Sequence, residues 1–371
     1  GRLFYLEVFT GNVKVISTDS TQSGTWLHVN SDPILERGLL GIAFDSNFTT
    51  NHYVYIYYTF HSDTPANRVE RYTEVNYKAD TTSRMLLFEQ SVATPCGIAS
   101  NHNGGALTFG SDGTLYITLG ENACSDLSTM TNDPRGKVLR IEPHIPSPHN
   151  AVTSNPFYDD GNPFTGNDDR IFTKGLRNAF GMTLSSFDNA IYVTENGPDC
   201  NDEVDRLLPG HDYGWRPECF SGVNHCLCSQ DSPYTRPLLT INPPIAPTGI
   251  LVYDGSIYPE LYGKILFTDN NQGYIRVGSL SGTNDSLLIG DIIQPGVGSI
   301  YDIIKGPDGY IYFCFYDGIC KMNPLPNDVL EHSAIPETYL LQNAPNPFNP
   351  MTRIQYAVAR KEHVSLKVYN I

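Results

Sequence analysis

No stretch of the 371-residue chain comes near the roughly 18 apolar residues that a membrane-spanning helix requires, so no transmembrane segment is expected. Basic residues are scarce: 24 Lys and Arg stand against 40 Asp and Glu, a formal net charge of −16. That balance argues against nucleic acid and acidic membrane surfaces as partners. The GxSxG elbow, the HExxH helix, the P-loop and the GxGxxG fingerprint are all missing, which removes the usual support for hydrolase and nucleotide-binding chemistry. CxxC spacing is missing too. The eight cysteines, an even number, therefore fit disulfides in an oxidising compartment better than zinc or thiol redox chemistry. The chain opens directly on strand-like Gly1-Arg2-Leu3-Phe4-Tyr5-Leu6 with no export leader in view, and the expectation is an exported protein whose leader was removed or left out.

What the chain has in quantity is Tyr (23), Phe (17), Gly (32) and Pro (26), with only 17% charged residues. This is a turn-rich, aromatic β composition, too apolar for disorder. One pattern recurs: a small turn followed by an apolar, aromatic strand. Aligned on the first strong apolar residue, the six copies start at Leu3, Val54, Leu115, Ile191, Ile265 and Ile311, at spacings of 51, 61, 76, 74 and 46 residues. Sustained helical periodicity is absent. The fold class read from this is all-β, a six-bladed β-propeller over 1–323, since a sandwich would repeat its strands every 8 to 12 residues or so without the longer period.

After Asn323 the character changes. Pro324-Leu325-Pro326 opens a polar linker over 324–338, and three prolines in Pro345-Asn346-Pro347-Phe348-Asn349-Pro350 introduce an alternating-strand segment over 339–371. That length is too short for an independent core, so the segment reads as the incomplete start of a small β-sandwich-like C-terminal domain.

Four segments carry residues unusual for plain strands and turns. Glu36-Arg37 heads an apolar run through Phe44, where a solvated strand start is the plainer reading. His102 sits in Asn101-His102-Asn103-Gly104-Gly105; a lone loop histidine is usually a hydrogen-bonded structural residue, and otherwise a general base. Arg177 and Asn178 interrupt an apolar stretch and need partners if buried, either an ordinary ion pair or an anionic cofactor. The acidic run from Glu195 to Asp205 offers oxygen ligands of the kind calcium takes, without EF-hand spacing, and solvated acidic loops look the same.

Taken in order, Glu36-Arg37-Gly38-Leu39-Leu40-Gly41, His102-Asn103-Gly104-Gly105, Gly136-Lys137-Val138-Leu139-Arg140-Ile141, Gly175-Leu176-Arg177-Asn178, Glu195-Asn196-Gly197-Pro198, Asp202-Glu203, Tyr213-Gly214-Trp215 and Ala246-Pro247-Thr248-Gly249 resemble the soluble quinoprotein sugar dehydrogenases. That glucose/sorbosone and aldose sugar dehydrogenase family uses PQQ and calcium on a six-bladed propeller. The resemblance implies an enzyme that oxidises aldose sugars at the C1 hydroxyl, with an external electron acceptor. It assigns His102 as the base that takes the hydroxyl proton, Arg177 as a catalytic and PQQ-binding cation, and Asn178 as its neighbour on PQQ. Glu36 and Glu121 fall at further cofactor-site positions. The carbonyls of Gly197 and Pro198 match calcium ligands, and Asp202, Glu203 and Tyr213 a second calcium region. Hedgehog-interacting proteins look similar over the same domain and are not known for turnover.

Departures from the family pattern support a second reading. Where relatives meet the PQQ carboxylates with a Lys and an Arg-x-Arg, this chain has Asn271, Ser299 and Tyr301, and a Trp often found before the Ala-Pro motif is replaced by Asn242. Each lost charged hydrogen bond costs about 1.5 to 3 kcal/mol. The alternative is a non-catalytic propeller that binds a glycan, or serves adhesion or surface assembly. Lys305, on strand alternation, is a candidate to reach inward in compensation. The tail around Asn343-Ala344-Pro345-Asn346-Pro347-Phe348-Asn349-Pro350 resembles a type IX secretion sorting domain or the related FlgD-like Ig module. It implies export across an outer membrane and release or attachment at the cell surface.

Three expectations concern disulfides. Cys314 and Cys320 flank a tight turn and are expected to face one another across a hairpin, within bonding reach. Cys96 is expected to pair with Cys124, and two bridges of open pairing are expected among Cys200, Cys219, Cys226 and Cys228.

Overall fold

The computed structural model describes residues 1–17, 23–221, 233–316 and 318–324, and beyond them two short strands. The chain divides into Gly1–Met322 and Asn323–Ile371. In the second unit Tyr339–Leu340 and Tyr356–Ala357 pair antiparallel; the rest of the linker and sorting-segment expectations lies outside the described residues.

The first unit is a six-bladed β-propeller. Blade 1 has three strands (Arg2–Glu7, Asn12–Ser17, Ser23–His28). Blades 2 to 5 have four each: Leu39–Phe44, Tyr53–Phe60, Ala66–Val75 and Lys78–Ser91; Leu107–Phe109, Leu115–Leu119, Lys137–Ile141 and Ile171–Lys174; Ala179–Leu184, Ile191–Glu195, Asp202–Leu207 and Leu239–Ile241; Pro247–Val252, Ile265–Asp269, Ile275–Leu280 and Leu287–Ile293. Blade 6 has Ile300–Lys305, Ile311–Phe315 and Gly318–Lys321. Strands within a blade follow one another in order and pair antiparallel. First strands of successive blades from 2 to 6 stand side by side around the channel.

The six-fold repeat is legible because of how the second strands are buried. In blades 3, 4 and 5 every residue of that strand is buried, and its side chains alternate between two different cores. Leu115, Ile117 and Leu119 pack with Tyr55, Tyr57 and Phe88 of blade 2, while Tyr116 between them packs with Ile191 and Val193 of blade 4. Tyr192 then faces Phe267 of blade 5, and Leu266 faces Ile303 and Phe313 of blade 6. A strand that feeds two cores is apolar at successive positions, as in Leu115–Ile117, Ile191–Val193 and Ile265–Phe267, which reads as a continuous hydrophobic run. Val54, Leu115, Ile191, Ile265 and Ile311 all lie at the start of a second strand. Leu3 instead lies in the opening strand of the three-stranded blade 1.

Cys96 and Cys124 form a disulfide with Cα atoms 5.6 Å apart. Cys200 and Cys219 are each disulfide-bonded as well, while Cys226 and Cys228 lie outside the described residues. The expected Cys314–Cys320 bridge does not form: both are free thiols. Phe315 pairs with Gly318, so Cys314 stands opposite Ile319 and Cys320 opposite Phe313. Neighbouring register positions project to opposite faces of the sheet, which directs the two sulfurs apart. Lys305 does not reach the channel mouth either; it ends the first strand of blade 6 and pairs with Asp254.

Candidate functional site

The propeller gathers the singled-out residues by placing them where strands begin and end. Glu36 precedes the first strand of blade 2, His102 that of blade 3, and Arg177-Asn178 that of blade 4. First strands that line one channel in parallel all start at the same end. Second strands run the other way, so Glu121, just past Leu119, and Glu195, at the last position of its strand, return to that end. Hydrogen bonds close the arrangement into one network.

His102 is buried and left-handed, with φ at 56°, a conformation that costs a non-glycine residue about 1 to 3 kcal/mol and is retained where its surroundings enforce it. Its backbone N–H donates to Glu36 Oε2 at 2.7 Å, and its carbonyl accepts from Asn122 N (3.1 Å) and Nδ2 (3.0 Å). The two glycines that follow permit close approach. A Cβ at Gly104 would stand 2.7 Å from the Thr118 carbonyl oxygen, and one at Gly105 would stand 2.6 Å from Leu40 Cβ.

The His102 ring bonds Glu121 Oε1 through Nδ1. An ionised carboxylate only accepts, so Nδ1 carries the proton and Nε2 keeps its lone pair. Asn101 Nδ2 lies 3.3 Å from Nε2, as a donor would. Glu121 N–H in turn donates to the Arg177 carbonyl at 2.9 Å. Asn178 uses both ends of its amide, accepting from Gly104 N (3.0 Å) and donating to Glu36 Oε2 (3.2 Å). Glu36, His102, Glu121, Arg177 and Asn178 thus form one cluster drawn from blades 2, 3 and 4.

Arg177 donates through one NH to the Asn196 carbonyl at 2.9 Å, and its guanidinium carbon lies 5.5 Å from the Trp215 ring centre. Its buried Nε has no partner among the described residues. Burial pulls its pKa down, against the opposing pull of Glu121, Glu195, Glu36 and Asp202. Those carboxylates outnumber the one guanidinium. Glu195 accepts from the backbone N–H groups of Arg177 and Asn178 through Oε1. Burial pushes its carboxyl up to about 7.

Gly197 and Pro198 stand at the same mouth, following Asn196, whose Nδ2 reaches the Pro247 carbonyl at 3.2 Å. Asp202 binds loop backbone with both oxygens: Gly197 N (2.9 Å), Ile245 N (2.6 Å) and Ala246 N (2.8 Å). Glu203 pairs in register with Glu195, and Asp205 lies two positions on, on the same face. Tyr213 donates its hydroxyl proton to the Arg206 carbonyl and accepts from Leu208 N, leaving its own carbonyl as the group a cation would use. Asp205 is fully buried with neither oxygen hydrogen-bonded among the described residues, and burial together with Glu203 and Glu195 holds its carboxyl far above the usual range. The sequence offers Glu195 and Asp205 only as the ends of an acidic run that reads equally as calcium ligands or as a solvated loop, with no role for either residue by itself. The signal was an acid at every second position, 203 and 205, beside a strand ending in an acid.

Two groups are implied by the family resemblance, calcium and PQQ. Buried acceptors without donors, Glu121 Oε2 and Glu195 Oε2, fit a hard cation. The partnerless Nε of Arg177 beside the Trp215 ring fits one anionic or quinone oxygen of a planar cofactor. At the positions where the family resemblance implies cations for the PQQ carboxylates this chain has the neutral residues Asn271, Ser299 and Tyr301, and Arg276, near the first of them, is paired with Asp269 at 3.2 Å.

Residues 1–319 match the Glucose / Sorbosone dehydrogenase family. Aldose sugar dehydrogenase YliI of Escherichia coli (strain K12) is 28% identical over 225 residues, covering 57% of this chain and 56% of that protein. Quinoprotein glucose dehydrogenase B of Acinetobacter calcoaceticus is 27% identical over 247 residues, covering 58% of this chain and 48% of that protein. The chain thus spans about half the length of these two relatives. In fold it is similar to the PQQ-bound form of aldose sugar dehydrogenase from Streptomyces coelicolor, with a TM-score of 0.62 at 24% identity over 84% of each chain.

Proposed function

The chain belongs to the glucose/sorbosone dehydrogenase family, and from that premise we propose that it oxidises aldose sugars at the C1 hydroxyl, using PQQ and calcium. The observation that carries this reading is the buried His102–Glu121 pair, oriented so that Nε2 is the unprotonated nitrogen, in contact with the Asn101 amide alone among the described residues. His102 Nε2 accepts the proton of the sugar hydroxyl. Glu121 fixes the tautomer and stabilises the imidazolium that forms. Glu36 fixes the backbone of His102 and the amide of Asn178 together. Arg177 would orient the bound cofactor and supply a positive charge against it.

PQQ, when bound, supplies the two-electron acceptor, and Arg177 and Asn178 would hold it. Calcium would be held by the carbonyls of Gly197 and Pro198 with the bare Glu195 oxygen nearby, and a second ion by Glu203 with Tyr213 and Asp202. Export is supported by the Cys96–Cys124 disulfide, and we extend to the tail the expectation of sorting to the cell surface. An external electron acceptor completes turnover.

A second reading, a propeller that binds glycans without turnover, is favoured by the neutral residues Asn271, Ser299 and Tyr301. Reconstitution with PQQ and calcium, followed by aldose-dependent dye reduction, separates the two. The enzyme reading expects reduction that needs sugar, PQQ and calcium together. Glycan binding without any dye reduction would favour the second.

A further inference from the structure

Blade 3 carries a long connection between Lys137–Ile141 and Ile171–Lys174. Lys137 pairs with Leu119, next to the mouth, and Ile141 with Leu115, so this connection emerges at the end of the propeller remote from His102. Its second half reads Tyr158-Asp159-Asp160-Gly161-Asn162-Pro163-Phe164-Thr165-Gly166-Asn167-Asp168-Asp169. Carboxylate oxygens of Asp159, Asp160 and Asp169 lie within 4.8 Å of one another. Like charges that close repel, and among the described residues no Lys, Arg or His is paired with any of the three. Arg170, adjacent in sequence, is committed to Asp168 through two bonds of 2.8 and 2.6 Å.

Local donors hold the trio in place. Asp169 Oδ1 accepts from Asp159 N (2.5 Å), Asp159 Oδ2 from Asn167 N and Nδ2 (both 2.9 Å), and Asp160 from Asn162 N (2.8 Å) and Thr165 Oγ1 (2.6 Å). These bonds leave Asp169 Oδ2 unsatisfied. Asp169 is 0% exposed, and among the described residues its Oδ2 has no donor, while the other two members of the group, Asp159 and Asp160, are exposed.

We infer that this loop binds a hard divalent cation, calcium by preference, through Asp159, Asp160 and Asp169. All donors are oxygens, with no imidazole or thiolate, which selects calcium or magnesium over transition metals. Three anionic oxygens in an irregular loop suit the flexible coordination of calcium better than the strict octahedron of magnesium. The ion ties the loop to the fourth strand of blade 3, beside Asn155, whose Nδ2 bonds the carbonyls of Arg140 and Asp169 at 2.8 Å each.

The test is calorimetric titration of calcium into the EDTA-stripped full chain, with Asp169→Asn and Asp160→Asn alongside. Asp160 is exposed, so Asp160→Asn leaves folding intact even if burial makes Asp169→Asn unstable. Wild type is expected to bind one more equivalent of calcium than the variants, or the same number with one site weakened about tenfold or more, while aldose-dependent dye reduction is unchanged in Asp160→Asn. Because the mouth is expected to bind calcium too, Glu203→Gln serves as the contrast: it should remove a different equivalent and leave this one. Identical stoichiometry and affinity in wild type and Asp160→Asn, or tighter magnesium than calcium binding at this site, would overturn the inference.

Discussion

A histidine becomes a base through its neighbours. The Nδ1 bond to Glu121 and the left-handed backbone held by Glu36 give His102 one usable nitrogen and one direction. Glu121→Gln keeps the shape and removes the charge that stabilises the imidazolium, so the expected result is a turnover loss on the order of 10² at saturating PQQ and calcium; a wild-type rate would rule the pair out as the proton acceptor. Lys137 tests the electrostatics of the fold away from the substrate. It is fully buried, donating to the carbonyls of Leu127 and Arg135 at 2.7 Å each, and burial pulls its pKa from 10.5 to about 7. Below that value both folded and unfolded chains carry the charge and its burial cost is borne in full. Between about 7 and 10.5 the unfolded chain binds more protons, so stability rises with pH. Relative to Lys137→Met, wild type should gain up to about 1.4 kcal/mol per pH unit on going from about pH 7 to about pH 9 in denaturant unfolding. Parallel curves would mean that the lysine stays charged in the fold.

The elements around the site are tied by covalent and packing constraints that differ in how far the sequence betrays them. Cys96 sits in the turn of a small hairpin, Ala93–Thr94 with Gly97–Ile98, and its disulfide to Cys124 spans 28 residues that include His102 and Glu121. Cys124 N–H donates to the Glu121 carbonyl at 3.2 Å, so the bridge also steadies the carboxylate that orients the base. Cys96→Ser with Cys124→Ser should lower stability by about 3 to 4 kcal/mol on loop-entropy grounds, measured by urea unfolding; an unchanged midpoint would show the loop to be held by other contacts. In blade 6 the thiol of Cys314 is pushed up to about 12, mainly by burial and then by Asp302. Alkylation at neutral pH should therefore label Cys320 well before Cys314, and mass spectrometry that finds the two bridged would restore the hairpin disulfide. The sequence placed both cysteines correctly beside a turn. It could not supply the register, because a shift of one residue in the hairpin changes which face each sulfur takes.

At the scale of the whole molecule, the propeller was legible because second strands serve two cores and so announce themselves as runs of apolar residues, Leu115–Ile117 in blade 3 among them. The cluster of Glu36, His102, Glu121, Arg177 and Asn178 was legible through the family resemblance, and the fold explains it: residues adjoining first and second strands meet at one mouth. Glu195 and Asp205 were harder to see. Their significance lies in buried oxygens that lack donors among the described residues, one on Glu195 and both on Asp205, a property of packing that the alternating acids at 203 and 205 do not fix. The same view gives the cofactor prediction. Ser299→Arg with Tyr301→Arg restores cations at the first strand of blade 6 and should tighten PQQ in an equilibrium titration by tenfold or more, on the order of the charged hydrogen bonds regained; no change would place those positions off the cofactor. The central claim is that His102 is the proton acceptor of a sugar-oxidising site, and it is tested most directly by measuring aldose-dependent dye reduction and PQQ affinity together in wild type and His102→Ala. The account predicts a rate lower by about 10² to 10⁴ in the variant with PQQ affinity nearly unchanged, whereas equal rates in the two proteins, or no turnover by wild type saturated with PQQ and calcium, would contradict it.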